Sequence, residues 1–197
     1  MRKPIDQIKP EDAIPLFIRL KQFIFGKKRP DGFTRLLFSF SLFSWTLLTI
    51  WNAVSYFVLL SAAVIEENKG FSVTQIIRKN GQNLGFNGDE FLTVISNFYF
   101  YNLFIWVFIF IGLVLMYRKT RKYTFFILGG LAIHFIYMLY ALGFQYFIED
   151  VSFFDKMLYA ILIGVTLIHS FLMYKEKESQ EVEVDEEKEG SDESKIS

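Results

Sequence analysis

The chain has 197 residues, of which 52% are hydrophobic, 19% aromatic and 21% charged, and it contains no cysteine. That absence excludes disulfides, thiolate metal sites, iron–sulfur clusters, c-type haem attachment, cysteine nucleophiles and lipid-modified cysteines. The formal net charge of zero hides two unlike ends: residues 1–35 hold nine Lys/Arg against four Asp/Glu, and residues 175–197 hold four Lys against ten Asp/Glu.

The first stretch, "MRKPIDQIKPEDAIP", is polar and broken by proline, so it does not read as a cleavable signal peptide. It leads into "PEDAIPLFIRLKQFIFG", residues 10–26. There Pro10, Glu11 and Asp12 suit a helix start. Ala13, Leu16, Phe17, Leu20, Phe23 and Ile24 recur on one face, with Arg19, Lys21 and Gln22 off it. The pattern predicts an N-terminal interfacial amphipathic helix, with "GKKRPDG" as the turn into the membrane. Beside a bilayer, Lys27, Lys28 and Arg29 point to anionic lipid headgroups rather than to nucleic acid.

Four apolar blocks follow, at about 36–65, 97–117, 124–147 and 157–174, and none holds an Asp, Glu, Lys or Arg. Blocks of this kind read as membrane spans. The predicted fold is an all-α membrane protein, a four-transmembrane-helix up-down bundle. Its parts are a basic segment 1–35, a membrane domain 36–174 and a disordered acidic tail 175–197 that lacks apolar periodicity. The link "RKTRK" carries Arg118, Lys119, Arg121 and Lys122, a second set of headgroup contacts. The other two connections are poor in basic residues, so the positive-inside rule predicts cytoplasmic termini. Enrichment in Phe, Ile, Lys, Asn and Tyr suits an AT-rich genome, and a bacterial inner membrane is the expected location.

Within the 66–96 loop, Ser72 can start a short helix that stops at Gly81 or Gly85, and "NGDEF" can start another. A calcium loop beginning at Asn83 fails, because its twelfth position is Val94 rather than a glutamate. No phosphate-cradling loop, metalloprotease pair or serine elbow occurs, and no enzymatic activity is expected.

The remaining candidates are polar residues inside the spans, which must find partners because hydrocarbon offers none. In the third block Gly130, His134, Tyr137, Ala141 and Gln145 share a helical face. Tyr159, Thr166 and His169 share one in the fourth, and Ser44, Asn52 and Ser55 one in the first; Asn102 lies in the second. These residues are predicted to face the bundle interior. His134 and His169 could instead grip a haem, touch a quinone or carry protons. Their unequal depths, the lack of a buried carboxylate and the lack of a third ligand favour packing, so no cofactor or metal is expected. The sequence therefore predicts a non-enzymatic scaffold, accessory subunit or regulator of a membrane complex, with a protein partner in the membrane or at its cytoplasmic face. The alternatives are an oligomeric pore or small transporter, and a haem- or quinone-contacting protein.

Overall fold

The computed structural model describes residues 18, 19, 22, 24–26, 30–69 and 72–193. The regular elements among them are helices: α1 (Gly32–Leu60), α2 (Ala62–Lys69), α3 (Val73–Asn83), α4 (Gly88–Tyr117), α5 (Tyr123–Glu149) and α6 (Phe153–Glu193). Gly32–Leu60, Asp89–Tyr117, Tyr123–Glu149 and Phe153–Lys175 are each long and apolar enough to cross a membrane. Large apolar side chains such as Phe43, Phe57, Phe104, Phe125, Ile136 and Phe171 are exposed around the outside. Such a surface suits lipid and not water. The chain is a multi-pass helical membrane protein.

Local chemistry sets the helix ends. Asp31 caps α1, its carboxylate accepting from the Thr34 amide at 2.8 Å. That cap starts the helix four residues before the apolar block does. Ser72 caps α3 in the same way, accepting from Gln75 N at 3.3 Å. Past the end of α3 at Asn83, Gly85 takes a φ of 86° that lets Phe86 N reach back to Gly81 O at 2.9 Å. Two residues on, α4 begins with Asp89 and Glu90 in its first turn and runs unbroken into the second span. Ser152 starts α6, bonded to both the backbone N and the carboxylate of Asp155.

The four long helices close into a ring. α1 packs on α4 and α6, α4 on α5, and α5 on α6. The α4–α5 seam is tight because small residues let the backbones approach. A Cβ on Gly112 would lie 2.6 Å from Ile127, and one on Gly130 would lie 2.5 Å from Ile109. At one end of the ring, here the loop end, α3 lies against α4, and Arg78 bonds Asp89 at 2.8 Å. At the other, the termini end, Phe25 stacks edge-on against Phe38 and Tyr117.

Two expectations meet the structure differently. The amphipathic helix predicted over 10–26 lies mostly outside the described residues, as do Lys27, Lys28 and Arg29. Ile18, Arg19, Gln22, Ile24 and Phe25 are helical, and Gly26 follows them at φ 82°. The tail from 175 is predicted disordered, yet α6 continues to Glu193. Its sequence explains why: 175–189 contains no proline or glycine and consists largely of Glu, Lys and Gln, which hold a helix without any apolar face.

Candidate functional site: two polar layers and a cleft

Most of the hydrogen-bonded polar side chains that link the spans fall into two separate layers. Nearer the loop end, one chain of hydrogen bonds crosses all four long helices. The Tyr159 hydroxyl of α6 lies 2.9 Å from His134 Nε2 on α5. His134 Nδ1 lies 2.7 Å from Asn102 Oδ1 on α4. Asn102 Nδ2 donates to Asn52 Oδ1 on α1 at 2.7 Å, and Asn52 Nδ2 donates to the Tyr99 carbonyl at 3.0 Å. An amide oxygen only accepts, so Nδ1 carries the ring proton and the neutral ring accepts from Tyr159 through Nε2. Each link then donates in the same direction. The four side chains Asn52, Asn102, His134 and Tyr159 are all buried. Aromatic rings wall the imidazole, with Trp106 at 5.4 Å and Phe98 at 6.0 Å.

The second layer lies at the termini end. His169 on α6 has Nδ1 2.7 Å from the Tyr123 hydroxyl and Nε2 3.3 Å from Thr34 Oγ1. Thr34 Oγ1 donates to Asp31 Oδ2 at 2.8 Å, and Lys119 Nζ sits 2.7 Å from the same oxygen. The Lys119 ammonium, and next the Thr34 amide, hold the Asp31 carboxyl well below the usual carboxylate range. Lys119 reaches Asp31 from a strained backbone, with φ at 53°. It occupies the left-handed position of a helix stop in which Thr120 N bonds Leu115 O and Lys119 N bonds Met116 O. Glycine is the usual residue there, and a side chain costs about 1–2 kcal/mol. The ion pair, together with the bond network behind it, offsets that strain.

Between the layers lies a closely packed plug, mostly apolar, with Ser41, Ser44 and Thr166 as its buried hydroxyls. Ile109, Leu113, Ile127, Leu131 and Leu162 are at most 2% exposed. Along α5, His134 stands eleven residues from Tyr123, about 16 Å. The two histidines thus belong to different layers, and both ring nitrogens of each face protein groups.

A cleft of about 230 Å³ opens above the first layer. Asn52, Asn102, His134 and Tyr159 line it, along with Trp106, and exposed Asp150 and Asn80 reach it from the surface. Burial, and next the neighbouring Glu149 charge, pushes the Asp150 carboxyl up.

The predicted interior residues divide by position. Ser44, Asn52, His134, Thr166 and His169 are buried. Ser55 and Tyr137 are half-buried, and Ser55 lines the cleft. Gln145 is not interior: it is exposed, and its amide donates to Glu149 at 3.0 Å. The buried stripe of α5 is His134, Met138, Leu142 and Tyr146. The extrapolated face leaves this stripe at Tyr137, one residue short of Met138, so Ala141 and Gln145 fall beside Leu142 and Tyr146 rather than on the buried side. Of the predicted headgroup residues, Arg118, Arg121 and Lys122 are exposed, and Lys119 is committed to Asp31. Sequence reasoning missed Asp31 and Thr34, which precede the apolar block, and the Tyr123–His169 pair. A start signal of Pro-Asp followed three residues later by Thr could have found the first two. Compared with models of protein families, with curated proteins and with solved structures, the chain finds no match.

Proposed function

We propose that this protein is a non-enzymatic scaffold, accessory subunit or regulator of a membrane complex. Both termini lie on the cytoplasmic side in this reading, because Arg35 near the start of α1 and the Arg118–Lys122 link sit at the same end. The observation that carries it is the engagement of His134 and His169. Each imidazole holds two protein partners, so neither has a lone pair turned to a haem iron or a metal. The groups that would do chemistry instead tie the helices together. A feature that suits an outside partner is the extension of α6 beyond Lys175, a helix whose sequence is strongly acidic. The basic segments at the same end suit anionic lipid. A pore through one chain is disfavoured by the close packing between the layers, where Ile109, Leu113, Ile127 and Leu162 have no exposed surface.

The test is affinity purification of the full chain in mild detergent, beside a chain cut after Lys175. The reading expects a stoichiometric membrane or cytoplasmic partner with the full chain, and its loss on truncation. A full chain that leaves native membranes alone, or carries a bound chromophore, overturns it.

A further inference from the structure

The loop-end cleft has the chemistry of a ligand site, independent of the scaffold reading. It is smaller than the about 300–1,000 Å³ that hosts drug-sized molecules, so an occupant is small. Among the described residues its lining includes two carboxylates, Asp150 and Asp155, and no Lys or Arg. The nearby Lys156 ammonium is turned elsewhere: it donates to Ile148 O at 3.0 Å and lies over the Phe147 ring. Much of the remaining wall is aromatic, with Trp51, Phe98, Tyr99, Trp106, Tyr146 and Tyr159. Aromatic faces and carboxylates together attract a cation that is too large and too weakly hydrated to prefer water. Trp106 also lines the cleft; it is 1% exposed, and its buried indole N–H makes no hydrogen bond among the described residues. A buried donor left unpaired costs about 1–3 kcal/mol, which an acceptor atom on a ligand relieves.

We propose that the cleft binds a small organic ammonium ion carrying a hydroxyl or similar acceptor, with the cationic end toward Asp150 and Asp155 and the acceptor end toward Trp106. The carboxylates set the charge preference, the rings hold the alkyl groups, and the indole N–H sets orientation.

The probe is choline, titrated into the purified full chain in detergent and read by tryptophan fluorescence, since Trp51 and Trp106 line the cleft. Its neutral isostere 3,3-dimethylbutan-1-ol and the hydroxyl-free tetramethylammonium ion are run beside it. The proposal expects a saturable change with choline, none with the neutral alcohol, and binding weakened about tenfold by Asp150→Asn. Asp150 is exposed, so this variant keeps the fold; Asp155→Asn is the second carboxylate test. Trp106→Phe, read by thermal shift, should weaken choline while leaving tetramethylammonium unchanged. No saturable response to choline, an equal response to the neutral alcohol, or indifference to both carboxylate variants overturns the proposal.

Discussion

His134 Nδ1 lies 2.7 Å from Asn102 Oδ1, and that one contact fixes the proton on the histidine ring. Because the amide oxygen can only accept, the proton sits on Nδ1 and leaves Nε2 to receive the Tyr159 hydroxyl. Nitrogen-15 spectra of the labelled protein near neutral pH should therefore show one histidine with a protonated Nδ1 and a bare, hydrogen-bonded Nε2. A protonated Nε2 on His134 would reverse the direction of the whole chain.

The termini-end latch makes a pH prediction. Asp31 has a folded-state pKa held below its unfolded value by Lys119 and Thr34. Its contribution is fully present above the unfolded pKa, about 3.9, and is lost as pH falls through the folded value. Thermal midpoints of the wild type should drop as pH falls below about 4. Asp31→Asn should show a shallower drop over that window and a lower midpoint at neutral pH. The neutral-pH cost should stay near the about 1 kcal/mol of a lost cap, because the pair is partly exposed.

Lys119 separates strain from charge. Lys119→Gly relieves a left-handed backbone but deletes the Asp31 partner, so the two effects oppose and the midpoint should move little. Lys119→Ala keeps the strain and loses the partner. It should be less stable than Lys119→Gly by about 1 kcal/mol, measured by denaturation in the same detergent.

Two glycines should respond for different reasons. Gly143→Ala meets open space but sits at φ 82°, so its cost is backbone strain, about 1–2 kcal/mol. Gly130→Val drives a side chain into Ile109, where even a Cβ would stand at 2.5 Å, and should pry α4 from α5. The first variant should remain monodisperse with a lowered midpoint; the second should broaden or aggregate on size exclusion.

Much of the architecture was legible because charge-free blocks and spans share one cause, the cost of burying charge in lipid. The polar residues Asn52, Asn102, His134, Tyr159 and His169 were legible for the same reason. Their pairing was not, since Thr34 and His169 stand 135 residues apart and nothing local encodes that contact. The helical face that includes Gln145 steps from His134 to Tyr137 instead of Met138, and the aromatic Tyr137 carries no local signal that the buried stripe runs one residue further on. The extension of α6 was missed because low apolarity was read as disorder, although Glu and Lys runs without proline favour helix on propensity alone.

The central claim is that His134 is a packing group bonded to Asn102. The measurement that tests it most directly is a double-mutant cycle of His134→Leu, Asn102→Leu and the pair, by reversible unfolding in one detergent. The account predicts that both single variants lose stability and that the double variant loses less than their sum, by about 0.6–1.7 kcal/mol. Strict additivity, or a His134→Leu variant as stable as the wild type, would contradict it.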